Sequence, residues 1–304
     1  MIDYLTVDVF TERQFGGNPL AVIPDARLIP EHRLQLIVRE FNYSETTFVY
    51  PPDDPAHTAR VRIFTPTDEV PFAGHPNVGT AFVLGRRDDV FGKPVTAQMV
   101  FEEKAGLVWI DVLRDGAEVV GARVRAPQPL ELGKEVDAQV IADCVGLNAG
   151  DVTTGIHMPR IVSVGLPIVV AELVSLEALA MASPNMDAFA KADVRYWDGA
   201  DRFFTYLYVR KGDGVEKLQA RMFAPLSNIP EDPATGSAAA ALGAFLVHLD
   251  MRSDMSAHIA IAQGIEMGRP SAIEVEAVKR SGRVERVSIS GRCIPVMQGR
   301  LLLA

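Results

Sequence analysis

The sequence predicts an α+β protein built as two pseudo-symmetric lobes. Two observations carry the prediction. First, Arg62-Ile-Phe-Thr-Pro66 returns as Arg221-Met-Phe-Ala-Pro225, about half a chain later, and a long-period duplication marks a repeated structural unit. Second, a short acidic connection follows each copy and leads into Gly74-His75 or Gly236-Ser237, each opening a stretch of small and apolar residues. The run from Gly236 to His248 is so rich in Ala that it fits a helix wrapped closely by sheet rather than one with an exposed face. Two such halves place the natural ligand site in the cleft between them.

Taken in order, Tyr4 to Phe10 alternates as a strand, Phe15 to Leu20 is a turn, and Ala21-Val-Ile23 leads to Pro24-Asp25. From Pro30 to Phe41, Leu34, Ile37, Val38 and Phe41 fall at helical spacing, and Pro30 stands where a helix can begin. Thr46–Tyr50 and Ala59–Phe64 are strands by their β-branched and aromatic content. Gly74–Leu84 reads as a buried helix, and strands follow near 95–102 and 107–113. Pro127-Gln-Pro129 is the linker signal, with the boundary near 118–128. In the second half, strands are expected near 120–125, 161–164, 167–173, 203–209 and 219–223. Helices are expected at 176–181, 186–191 and 236–248, and closing strands near 272–279, 283–290 and 294–303. The expected lobes are 1–120, completed by the last strand at about 292–304, and 121–291.

At 304 residues the chain is long enough for two cores. Its net charge of −9 and scattered Lys and Arg argue against nucleic-acid binding and against a membrane-surface patch. Two Cys, Cys144 and Cys293, make no disulfide framework. The N-terminal stretch lacks a basic n-region, and no apolar run reaches the roughly 18–20 residues of a membrane span. The expected location is cytoplasmic.

Three residues could carry chemistry. Glu45 lies between an amphipathic helix and an apolar strand, with no Lys or Arg within five residues. Desolvation at such a place raises a carboxyl toward general acid/base range, although a Glu in an ordinary loop is merely solvated. His75, at a helix start, is an imidazole able to relay protons near neutral pH or only to bond locally. Asp232, in Glu231-Asp-Pro-Ala-Thr-Gly-Ser237, is either a turn residue or a carboxylate facing Glu45 and His75. Gly74 and Gly236 allow close backbone approach, and two helix N-termini would suit a small anionic carboxylic acid. His32, His57, His157, His248 and His258 have no company in the sequence that suggests a site. Zinc spacings, a Walker loop, a strand-linked Gly-x-Gly-x-x-Gly and a Gly-x-Ser-x-Gly elbow are all missing.

Six ordered stretches closely resemble the PhzF family of phenazine-biosynthesis-like isomerases. They are Phe15-Gly-Gly-Asn-Pro-Leu-Ala-Val22, Asn42-Tyr-Ser-Glu-Thr-Thr-Phe-Val49, Arg62-Ile-Phe-Thr-Pro66, Val70-Pro-Phe-Ala-Gly-His-Pro76, Glu231-Asp-Pro-Ala-Thr-Gly-Ser-Ala238 and Gln263-Gly-Ile-Glu-Met-Gly-Arg-Pro-Ser271. The resemblance implies a diaminopimelate epimerase-like fold, each lobe a mixed β-sheet curled around a central helix, with no metal or organic cofactor and a homodimeric assembly. Epimerases of the wider superfamily use two opposed Cys. The matching positions look like Ala73 and Thr235, which disfavours a two-thiol racemase. Glu45 matches the family's proton-moving Glu, and His75 and Asp232 its supporting polar residues. Asn18 lies in the first matching stretch and is counted with the substrate-binding positions. Ser44, Gly74, Gly236 and Ser237 match positions that hold the substrate carboxylate and its neighbours. The implied reaction is a proton shift between carbons of a small unsaturated or cyclic acid, with Glu45 as base and then acid. Racemisation or dehydration of a hydroxy or amino acid, and non-catalytic binding of a small acid, remain alternatives.

Overall fold

The computed structural model describes residues 1–197, 202–212 and 214–303. The chain divides into two compact units, Met1–Pro127 with Ser288–Ala304, and Gln128–Val287.

The first unit contains β1 (Ile2–Val9), β2 (Asn18–Ile23), α1 (Glu31–Phe41), β3 (Glu45–Tyr50), β4 (Ala59–Phe64), β5 (Glu69–Val70), α2 (Gly74–Gly85), β6 (Asp89–Val90), β7 (Lys93–Pro94), β8 (Gln98–Glu103), β9 (Gly106–Asp115) and β10 (Glu118–Arg125). β1 and β2 are antiparallel, with Val9 opposite Asn18. Gly17 makes that reversal. Its φ of +59° is costly for any residue with a Cβ, and a Cβ there would collide with the Val9 carbonyl oxygen. β2 and β3 run parallel, β4 is antiparallel to β3 and parallel to β8, and β8, β9 and β10 are antiparallel neighbours.

α2 packs on β1, β2, β3, β9 and β10, and all its residues are buried. Gly79 permits this: a Cβ there would lie 2.6 Å from Leu20 Cδ2 and 2.8 Å from Val9 Cγ2. α1 lies elsewhere, burying Leu34, Ile37 and Val38 in a cluster with Ile23, Phe48 and Phe64. It stops at Asn42, whose left-handed φ of 54° is one that Asn tolerates better than most residues.

The second unit contains β11 (Glu131–Glu135), α3 (Ala138–Val145), β12 (Arg160–Ser163), β13 (Ile168–Glu172), α4 (Leu176–Met181), α5 (Met186–Tyr196), β14 (Thr205–Arg210), β15 (Lys217–Ala224), β16 (Ile229–Asp232), α6 (Gly236–Leu249), β17 (Met255–Gln263), β18 (Ser271–Arg280) and the start of β19 (Arg283–Leu301). Its sheet is mixed: β13–β14 and β15–β17 are parallel, and the pairs β11–β12, β12–β13, β14–β15, β15–β16 and β17–β18 are antiparallel. α6 packs on β12, β13, β17 and β18, so the sheet curls around it. Gly243 plays the part of Gly79, since a Cβ there would lie 2.6 Å from Val275 Cγ1.

The duplicated motif has a physical counterpart in each unit. Arg62 donates through Nε and Nη2 to the two carboxylate oxygens of Glu69, both at 2.8 Å, and its guanidinium lies 5.0 Å from the centre of the Phe64 ring. Arg221 does the same to Glu231, again at 2.8 Å twice, and lies 4.8 Å from the Phe223 ring centre. Each fork ties a main strand to the short strand that feeds the buried helix, and bidentate geometry makes it specific. Burial alone would raise Glu69, but hydrogen bonds from Arg62 and Lys104 hold it below the usual carboxylate range.

The first unit runs to Pro127, inside the 118–128 boundary window, and the chain rejoins it at Ser288. Two strand expectations differ from the structure. β10 reads from sequence as the first strand of the second half. It forms a hairpin with β9 and also pairs with Ser288–Arg292 of β19. The two closing strands expected at 283–290 and 294–303 are one strand, β19, which changes partner from β10 to β1 between Arg292 and Cys293.

Candidate active site

In the first unit, three chain segments begin at one place. β2 starts at Asn18 and the parallel β3 starts at Glu45, which sits opposite Leu20, and α2 starts at Gly74 with His75 next. His75 Nε2 lies 3.5 Å from Glu45 Oε2, with 5% and 16% of the two side chains exposed. The Ser44 hydroxyl donates to Asn18 Oδ1 at 2.8 Å, which turns the Asn18 amide nitrogen toward His75 Nδ1 at 3.4 Å. Thus Asn18, Ser44, Glu45, Gly74 and His75 lie together at this end of the first unit.

Burial decides the charge of His75. Burial pushes the imidazole down to about 3, with a Pro19 backbone hydrogen bond opposing. The contact with Glu45 is therefore between a neutral ring and a carboxyl group, not an ion pair. His75 enters any relay as a neutral ring and does not titrate near pH 7, because no water compensates its charge. The N-cap residue of α2, Ala73, makes no side-chain cap, so Gly74 and His75 carry backbone N–H groups that a substrate anion would suit.

Asp232, Gly236 and Ser237 belong to the second unit. Asp232 ends β16 opposite Met222, which is itself opposite Tyr206. The Thr235 hydroxyl donates to Asp232 Oδ2 instead of capping α6, whose N-cap residue it is. Gly236 is buried and Ser237 half-buried at the first turn of α6. Around them sits Gln263, fully buried at the end of β17. It donates to the Asp232 carbonyl at 2.8 Å and to Thr235 Oγ1 at 3.1 Å. It accepts from Tyr206 Oη at 2.9 Å and from Thr235 N–H at 3.2 Å. Gly264, at φ +71°, makes the following turn, where a Cβ would come within 2.6 Å of the Pro233 carbonyl oxygen.

Sequence reasoning did not single out Tyr206 or Gln263, although Gln263 opens one of the quoted motifs. It also overlooked two features elsewhere. His157 has company after all: its Nε2 is 2.7 Å from the Tyr208 hydroxyl, which donates to Glu172. In the first unit, the carboxyl oxygens of Glu103 are buried, and desolvation raises that carboxyl to about 8. Cys144 and Cys293 are buried, and desolvation pushes Cys144 up to about 12 and Cys293 well above its ordinary value. Neither is poised as a nucleophile. Among the described residues, no group of three or more His, Cys, Asp or Glu is arranged to hold a metal ion, and no helix is long and apolar enough to cross a membrane.

Each unit holds a buried helix packed against sheet, and in the first unit a carboxyl group lies against an imidazole at the helix start. The chain belongs to the phenazine biosynthesis-like protein family, whose pattern matches residues 7–299, and it is an isomerase of that family. It is 38% identical to an uncharacterized isomerase of Mesorhizobium japonicum, covering 99% of both chains. It is 33% identical to the trans-2,3-dihydro-3-hydroxyanthranilate isomerase of Pseudomonas fluorescens, covering 100% of both. Among solved structures, a PhzF family protein of Bacillus anthracis aligns with TM-score 0.83 at 23% identity over 99% of both chains. A hydroxyproline epimerase of Agrobacterium vitis aligns with TM-score 0.63 at 13% identity over 99% of this chain and 90% of that one. The fold is therefore diaminopimelate epimerase-like.

Proposed function

We propose that this protein is a cofactor-independent isomerase that moves a proton between carbons of a small unsaturated or cyclic carboxylic acid, with Glu45 as the general acid/base. The observation that carries the reading is Glu45, mostly buried at the start of β3, with a neutral His75 3.5 Å away. Glu45 takes a proton from a carbon made acidic by a conjugated carboxyl group and returns it to a more distant carbon. His75 orients the substrate's polar groups as a neutral hydrogen-bonding ring, and Asn18 and Ser44 fix that ring. Backbone N–H groups at the start of α2 stabilise charge developing on the substrate. Asp232, Gly236 and Ser237 are proposed to serve the same reaction from the second unit, Asp232 by orienting polar groups or moving a second proton. The relative that acts on trans-2,3-dihydro-3-hydroxyanthranilate makes that acid the first substrate to try. A two-thiol racemase has a specific observation against it: both thiols of the chain, Cys144 and Cys293, are buried, and burial keeps them protonated. A homodimer and a cytoplasmic location complete the proposal.

Steady-state turnover of that acid by wild type, Glu45→Asp and Glu45→Gln tests the reading. The expected loss in kcat for Glu45→Gln is about 10³-fold, within the usual worth of a general acid/base. Turnover by Glu45→Gln within a few fold of wild type overturns it.

A further inference from the structure

The side chains around Asp232 form a chain of donors running in one direction. Gln263 Oε1 accepts from the Thr235 backbone N–H, which can only donate, and from the Tyr206 hydroxyl. Its Nε2 faces the Asp232 carbonyl, which only accepts. These partners fix the orientation of the amide, which is fully satisfied. Nε2 also donates to Thr235 Oγ1. That leaves the Thr235 hydroxyl proton one direction to point, toward Asp232 Oδ2. Burial and the Asp232 charge push the Tyr206 hydroxyl well above its ordinary value, so Tyr206 keeps the proton it donates to Gln263. Register reinforces the arrangement, because Tyr206, Met222 and Asp232 lie in one row across β14, β15 and β16.

We propose that Gln263, backed by Tyr206, is a positioning residue of the isomerase. It aims the Thr235 hydroxyl at Asp232 and thereby holds that carboxyl group as a hydrogen-bond acceptor in one orientation. The proposal rests on the reading that Asp232 serves the reaction. The Thr235 oxygen is occupied as an orienting group and unavailable as a base. The same commitment of the hydroxyl explains why Thr235 leaves α6 without a side-chain cap.

Gln263→Glu is the decisive substitution. Ionised, a carboxyl group there donates nothing; protonated, as burial favours, it has one O–H in place of the two N–H groups that serve the Asp232 carbonyl and Thr235 Oγ1. Thr235 Oγ1 then loses the donor that aims its hydroxyl at Asp232, while side-chain volume is kept. Thr235→Val removes the hydroxyl, and Thr235→Ser restores it. Turnover and hydrogen-exchange mass spectrometry of segment 229–238 would be measured on each full-length variant. The expected result is a loss of about 10²-fold in kcat for Gln263→Glu and Thr235→Val, with KM nearly unchanged, as misorientation near a reacting centre produces. Thr235→Ser returns to within a few fold of wild type, and exchange rises only in segment 229–238. Equal turnover by Thr235→Ser and Thr235→Val, or loss that simply follows the fall in Tm, overturns the proposal. Wild-type exchange in segment 229–238 of Gln263→Glu also overturns it, and that readout needs no turnover. If Glu45→Gln is as active as wild type, the proposed function falls instead, and the exchange result still decides whether the donor chain exists.

Discussion

Replacing Glu103 with Gln is expected to stabilise the protein at neutral and alkaline pH and to change little in acid. Glu103 ends β8 with both carboxyl oxygens buried. Burial raises the carboxyl from 4.5 to about 8, with Asn77 pulling the other way and no charged side chain among the causes. Below pH 4.5 both the folded and the unfolded chain hold the proton, so the group's contribution is fully present there. Above pH 4.5 the unfolded chain releases the proton and the folded chain keeps it until about pH 8. The unfolded state then binds fewer protons, and unfolding free energy falls by about 1.4 kcal/mol per pH unit. Over that interval the loss reaches about 3 kcal/mol at pH 7 and about 5 kcal/mol once pH passes the folded value. A glutamine side chain cannot ionise, so Glu103→Gln removes the slope while keeping the shape. Urea unfolding followed by circular dichroism, at several values between about pH 4.5 and pH 9, reads the difference between the two proteins. The difference should grow from near zero in acid to roughly 3 kcal/mol at pH 7. A difference that does not vary with pH would show that Glu103 is ionised in the native state and refute the reasoning.

The buried helices make a second prediction. Gly79→Ala and Gly243→Ala should each destabilise by about 1–3 kcal/mol in urea unfolding, because neighbouring side chains must move aside; unchanged stability would mean that α2 and α6 are not packed so closely. His75 should stay neutral from pH 8 to pH 5 in ring NMR spectra, and a midpoint near its ordinary 6.5 would contradict its burial. Since the folded value lies below the unfolded one, the stability this ring confers is complete above pH 6.5 and is lost as pH falls toward 3. Arg221→Ala should cost about 3–5 kcal/mol, because Glu231 loses its forked partner and the Leu179 and Ala182 carbonyls lose their donor. Urea unfolding checks this too, and a loss under about 1 kcal/mol, the worth of a surface pair, would contradict it.

The two-lobed plan was legible because its cause is local. Arg62 and Arg221 fork equivalent carboxylates, and the Ala-rich composition of α6 leaves it no face suited to water. The amphipathic pattern of α1 was equally plain. β10 was misassigned because Val120–Arg125 alternates the same way whichever unit supplies its partners, and only its pairing with β9 decides. α3 was missed although Asp137 caps its start, accepting from Gln139 N–H, and Gly146 ends it at φ 67°; eight residues are too few for periodicity to stand out. In the candidate site, the conjunction of Glu45 with His75 follows from parallel strands and a helix starting together. Gln263 and Tyr206 could not be found by spacing, since their partners lie 28 and 57 residues away. Glu103 falls just past the strand expected at 95–102 and next to Lys104, and nothing local distinguishes its buried carboxyl from a solvated one.

Proton transfer by Glu45 is tested most directly by following trans-2,3-dihydro-3-hydroxyanthranilate in D2O by proton NMR with wild type and Glu45→Gln side by side. The account predicts a shifted double bond or deuterium at carbon with wild type and neither with Glu45→Gln. Equal conversion by both proteins would contradict it.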